Sequence, residues 1–194
     1  MDGPAALRRG SAADLGALEP LWVSVHHRHM EAMPELGPYV DDPRTWAERS
    51  ALYAGLLAKP DTFLLLAEFD GTLAGYGLAH VMSAGETWVA DTWATGERIG
   101  EIESLAVLPS RRGLGIGTQL LTALERELHA IGVDDLILGV LPGNEAAIRL
   151  YQRHGYRPTW TYLSRFAGRP ASPVPAPGAP VPAPGPPGPQ GRMQ

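Results

Sequence analysis

The stretch RRGLGIGTQLL, Arg111 to Leu121, constrains this chain more than any other part of it. Three alternating glycines follow an alternating apolar run, Ile99–Leu108, and precede a leucine-rich one. A strand must therefore feed a helix through a turn whose backbone comes close to something. The helix is expected from Thr118 to Ile131, with Leu120, Leu121, Leu124, Leu128 and Ile131 on one face and Glu125, Arg126 and Glu127 off it. The open N–H groups of a first helical turn, together with the positive end of its dipole, favour an anion there.

Three anion-binding templates compete for this run. A phosphate loop of the G-x-x-x-x-G-K-[ST] type needs a lysine, and the only lysine in the chain is Lys59. A dinucleotide fingerprint, G-x-G-x-x-G, is met at Gly113 and Gly115 but has Thr118 at its sixth position. The pattern R/Q-x-x-G-x-G/A is met in full by Arg112-Gly113-Leu114-Gly115-Ile116-Gly117.

The rest of the chain supplies a framework. LRRGSAADLGALEPLWVSVHHRHM reads as a short edge segment and a helix, with Asp14 as N-cap and Leu15, Leu18, Trp22 and Val25 as its apolar stripe. Asp42-Pro43 opens a second helix through Trp46, Leu52 and Leu56 to Lys59. DTFLLLAEFDGTLAGYGLAHV is a hairpin turning at Asp70-Gly71. ETWVADTW and RIGEIESLAVL are expected to pair around Thr95-Gly96, with Trp88 and Trp93 as cross-strand partners. A strand DLILGVL, a helix Asn144–His154 stopped by Gly155, and a closing strand YRPTWTYLSRF complete the order α-α-β-β-β-β-α-β-α-β. Antiparallel strands followed by one βαβ crossover give an α+β domain, not a repeating α/β array.

With GNEAAIRLYQRHGY, Gly143 to Tyr156, following ESLAVLPSRRGLGIGTQLL, Glu103 to Leu121, the chain resembles the GNAT superfamily of N-acetyltransferases. The resemblance implies a mixed, mainly antiparallel central sheet flanked by helices, with two parallel strands, Ile99–Leu108 and Asp135–Leu141, splayed around acetyl-CoA. It implies that the main chain of Leu105, Ala106 and Val107 pairs with the pantetheine arm. The N–H groups of Arg112, Gly113, Leu114, Gly115, Ile116, Gly117 and Thr118 would hold the pyrophosphate. Asn144 would contact the pantetheine and cap its helix, and Tyr151 would sit near the thioester sulfur as the acid. Direct attack by a primary amine in a ternary complex needs a base as well. Glu101 and Glu103, two apart on one strand, share a face and are the candidates, though alternation alone does not say which face meets the cleft. A histidine or water is the other option. Some relatives that acetylate protein N-termini carry a glutamate where this chain has Gly139, which argues against their mechanism here.

The remaining features bound the partners. The net charge is −5, which disfavours nucleic acid. There is no cysteine and no apolar run of membrane-spanning length, so a cytoplasmic protein with no membrane partner is expected. His26, His27 and His29 share no face as a trio, and no metal is expected. The acidic segment Glu31–Asp42 would suit a cationic acceptor, whether a small molecule or a peptide amine, and a homodimer is left open. The domain is expected over 1–167, followed by a disordered Pro/Gly/Ala-rich tail, 168–194, with ten of the 19 prolines. An acyl-CoA-binding sensor without turnover is the rival reading.

Overall fold

The computed structural model describes residues 5–167, and one compact unit within it ends at Leu163. The expected tail lies outside the described residues. A five-stranded sheet runs in sequence order, β1 (Ala6–Arg9), β2 (Thr62–Phe69), β3 (Thr72–Ser83), β4 (Arg98–Val107) and β5 (Leu136–Leu138). The first four strands are antiparallel, and β5 joins β4 in parallel through a crossover helix. Four α-helices, α1 (Glu19–Ala32), α2 (Asp42–Leu57), α3 (Ile116–Ala130) and α4 (Glu145–Arg153), accompany it.

The two faces of the sheet are covered by different helices, which explains the near-continuous apolar run of β2. Phe63, Leu65, Ala67 and Phe69 pack toward Leu120, Leu121, Leu124 and Leu128 of α3. Leu64 and Leu66 pack on the other side with Leu18 and Leu21 and with Tyr53 and Leu56 of α2. Glycine in β3 lets α3 lie close, because a Cβ at Gly77 would stand 2.7 Å from Leu124 Cδ1. This close seat brings the N-terminus of α3 to the far end of β4.

Four expectations are corrected. Asp14 is not the N-cap of the first helix. Ser11 caps a 3-10 turn, Ala12–Leu18, and Asp14 closes a capping box with it, so the chain enters α1 already wound. Leu52 is 44% exposed, and Tyr53 takes the core position on α2. ETWVADTW is no strand: a 3-10 turn, Ala84–Glu86, and further turns lead straight from β3 to β4, which pair with each other. The segment YRPTWTYLSRF forms no strand either, and Trp160, Tyr162 and Leu163 are exposed.

A buried polar chain crosses the α1/α2 side of the sheet. Tyr53 and Tyr76 share a hydroxyl hydrogen bond of 2.9 Å, and the Tyr76 hydroxyl lies 3.2 Å from Ser104 Oγ. Burial raises the pKa of both phenols, so both stay neutral. Tyr53→Phe removes one bond while Ser104 still satisfies Tyr76. The expected cost is about 1 kcal/mol, read by calorimetry as a Tm lowered by about 2–4 °C. An unchanged Tm would mean the chain adds no stability.

Candidate active site

The turn after β4 is built from its sequence. Pro109–Arg111 makes one 3-10 turn, and Gly113 and Gly115 follow at φ +81° and +79°, a region that L side chains rarely enter. Gly115 is the N-cap of α3 and provides no side-chain acceptor. None of the N–H groups from Gly113 to Thr118 donates a hydrogen bond to the described residues. Ile116, 1% exposed, pins the first turn into the core, so the amide row is held in place. The arginines behave differently from each other. Arg111 is tied back to the β2–β3 hairpin, 3.4 Å from Asp70 and 5.0 Å over the Phe69 ring. Arg112 is exposed and makes no ion pair among the described residues.

Beside this turn the sheet opens. β5 pairs with β4 only at Gly100↔Leu136, Glu101↔Ile137 and Ile102↔Leu138. From Glu103 to Val107, including Leu105, Ala106 and Val107, the β5-facing edge of β4 has no strand partner. Asn144 caps α4 by accepting from the Ala147 N–H at 3.4 Å. Tyr151 packs against the α3-side core with Leu138 and Leu150, its ring 5.9 Å from that of Tyr156. Burial pushes the Tyr151 hydroxyl up to about 12, so it holds its proton at physiological pH.

A bulge decides which side chains face which helices. Leu78 pairs with Ser104 and Ala79 with Ile102, leaving Glu103 as the extra residue. Before it, Ile102 points to α3; after it, Leu105 and Val107 do, while Ala106 packs on the α1/α2 side. The bulge inverts the alternation and turns both glutamates to the α1/α2 side. There Glu103 Oε1 accepts from Arg49 Nη1 at 2.5 Å, and Glu101 Oε2 lies 3.2 Å from His80 Nε2. Burial raises the Glu103 pKa above the ordinary carboxylate value, opposed by Arg49, with Glu101 adding to the rise and His80 opposing it. The Arg49 guanidinium sits 3.9 Å over the Trp22 ring.

Arg49 and His80 were not singled out from the sequence. Arg49 had a signal: it lies at i+4 from Thr45 and i−4 from Tyr53, a charge on the buried stripe of α2. His80 is a polar residue in the otherwise apolar end of β3, a weaker sign. His80, Glu101 and Glu103 can bring three ligand atoms within 4.8 Å of one another. Arg49 already supplies a cation to Glu103 at that point.

The histidines of α1 disperse as their spacing implies. His26 Nε2 meets the Val40 carbonyl at 2.9 Å, His27 pairs with Asp42 at 2.9 Å, and His29 stands edge-on to Trp22. Burial, with the nearby charges of His26 and Arg49, lowers the His29 pKa. Three of the four acidic residues expected to attract a cationic acceptor have partners: Asp41 caps α2, Asp42 pairs with His27, and Glu31 lies 3.6 Å from Arg28. Trp88 and Trp93 do touch, at 5.8 Å between centroids, but within one turn-rich segment and not across strands.

Residues 22–156 match the model of the acetyltransferase (GNAT) family. A mycothiol acetyltransferase of Saccharopolyspora erythraea is 31% identical over 71% of this chain, which spans only 40% of that relative's length. An IAA acetyltransferase of Azospirillum brasilense is 29% identical, covering 66% of this chain and 75% of its own. In fold, the chain is similar to a solved acetyltransferase with acetyl-CoA from Clostridium acetobutylicum, with a TM-score of 0.61 and 20% identity over 82% of this chain and 96% of that one. Among the described residues, no helix is long and apolar enough to cross a membrane.

Proposed function

Since the chain belongs to the GNAT acetyltransferase family, we propose that it transfers the acetyl group of acetyl-CoA to a primary amine by direct attack in a ternary complex. One observation carries the reading. The open amide row Gly113–Thr118 stands beside the unpaired edge of β4, so one extended ligand with a phosphate end can satisfy both. The pyrophosphate takes the N–H groups from Gly113 to Thr118, while the Arg112 N–H donates to the Pro109 carbonyl at 3.4 Å. The pantetheine arm adds like a strand along Leu105–Val107, with Asn144 across the opening.

The thioester then lies where the parallel pair parts, with Tyr151 on the α3 side and the glutamates on the other. The amine nitrogen gives its lone pair to the thioester carbon, and the C–S bond breaks. Tyr151 protonates the departing thiolate, and Glu103 takes the proton from the ammonium, directly or through water. Glu101, held by His80, is the alternate acceptor of that proton. Fixing both substrates supplies much of the rate.

Release of free CoA thiol, followed with acetyl-CoA and a panel of amines, tests this. Amine-dependent release is expected, and CoA binding without turnover across the panel would overturn it. That outcome would favour the sensor reading, which has one observation of its own: both carboxylates are engaged, by Arg49 and His80.

Glu103 must be deprotonated to act, and its pKa is raised. So kcat/KM should rise with pH through a limb above the ordinary carboxylate range and be lost as pH falls through it. Glu103→Gln should lower kcat/KM by about tenfold at neutral pH and erase that limb, since Glu101 and water still accept protons. A pH–rate profile checks it, and a limb persisting in Glu103→Gln places the base elsewhere.

A further inference from the structure

We propose that Trp88, Trp93 and Trp160 form one wall of the acceptor site and select a primary amine carrying an aryl group on a short alkyl linker. The proposal rests on the acetyl-transfer reading and names its substrate class.

The three indoles meet edge to face in all three pairs, with centroids 5.8, 5.9 and 6.3 Å apart. Two residues outside any strand or helix, Trp93 and Trp160, thus converge from distant parts of the chain, one before β4 and one after α4. They remain 40% and 54% exposed. Trp88 is seated beneath them, against the small core of Ala84, Val89 and Ile99, which also receives Ile137. Large indoles held together yet left open to water offer ring surface to a ligand with ring surface of its own.

Register places this wall beside the chemistry. Ile137 is the direct neighbour of Glu101 across the β4–β5 pair, and parallel neighbours in register share a face. Leu136 and Leu138 pack to the α3 side, so Ile137 and Glu101 point to the other one. Two residues along the strand, about 7 Å, separate the level of Ile137 from Glu103, where the sheet opens. That distance suits a ring against the indoles and an amine at the opening, joined by a linker of about two carbons.

Charge around the indoles favours a cationic ligand, with the Arg49 guanidinium, 2.5 Å from Glu103, as the cation that opposes it at the opening. The segment 84–97 holds Glu86, Asp91 and Glu97 and no lysine or arginine. Arg98, which follows it, is occupied by Asp61 at 3.3 Å and by the Ile131 carbonyl. Amine and ring are therefore matched by carboxylates and indoles on one side of the sheet.

The test compares 2-phenylethylamine with n-butylamine as acceptors, using thiol release in the full chain. A higher kcat/KM for 2-phenylethylamine is expected. In Trp93→Ala and Trp160→Ala the ratio of the two kcat/KM values should fall by about tenfold, the worth of one lost aromatic pairing. The KM for acetyl-CoA should stay near its original value in both variants, and circular dichroism verifies their fold. Indoles that only pack would depress both amines alike and leave the ratio unchanged, which overturns the proposal. Turnover of n-butylamine with no advantage for 2-phenylethylamine overturns it too, and leaves the acetyl-transfer reading standing. Turnover of neither amine, nor of any other in the panel, defeats both.

Discussion

Gly115→Asp should raise the Kd for CoA by about a hundredfold or more while lowering the Tm by only about 2–6 °C. The two effects separate because the site uses one backbone position for two purposes. Gly115 is the N-cap of α3 at φ +79°. Aspartate is among the few non-glycine residues found in this region, at a strain of about 1–2 kcal/mol that its charge at the positive end of the helix dipole offsets in part. The fold therefore loses little. The same carboxylate would stand where the open amide row is proposed to meet the pyrophosphate. Like charges a few ångströms apart in a partly dry site repel by about 3–4 kcal/mol, which is the source of the hundredfold estimate. Titration calorimetry with CoA, alongside thermal melts, reads both effects. Unchanged CoA affinity would place the diphosphate elsewhere.

Tyr151→Phe should lower kcat by about a hundredfold, with CoA affinity near wild type. The ring would keep its packing against Leu138, Leu150 and Tyr156, so only the proton is lost. General acids contribute about 10²–10⁴ to rate, and the lower end suits a thiolate, a good leaving group with little need of help. Because burial pushes this phenol to about 12, the wild-type enzyme should keep its acid through pH 9. Steady-state kinetics with an acetyl thioester of a more acidic thiol adds a second readout, since a better leaving group should narrow the gap between variant and wild type. An unchanged kcat would leave Tyr151 with packing alone.

The parts of the site legible in the sequence were those written as local backbone requirements. Gly113 and Gly115 announce positive φ, the leucines of α3 announce a buried face, and Asn144 three residues ahead of Ala147 announces a cap. Each involves residues a few positions apart, so spacing carries the information. The closing segment 156–166 misled because alternating aromatic and polar residues describe a strand only if an edge receives them. ETWVADTW misled for the same reason, and its tryptophans found a third indole in place of a paired strand.

By itself the sequence determined a strand, a glycine turn and a helix whose N-terminus has open amides, with Tyr151 following on α4. Only the tertiary structure decided what stands on the α1/α2 side of β4. The bulge at Glu103 exists because ten residues of β4 are matched against β3 with one to spare, a fact of register between two strands that neither shows alone. From that register follow the face shared by Glu101 and Glu103, the meeting of Glu103 with Arg49 from a helix 54 positions earlier, and the wall of indoles beside Ile137. Backbone conformation is chosen among near neighbours in the chain. Which side chains meet across a sheet is chosen by packing, and packing is settled only when all the elements are in place.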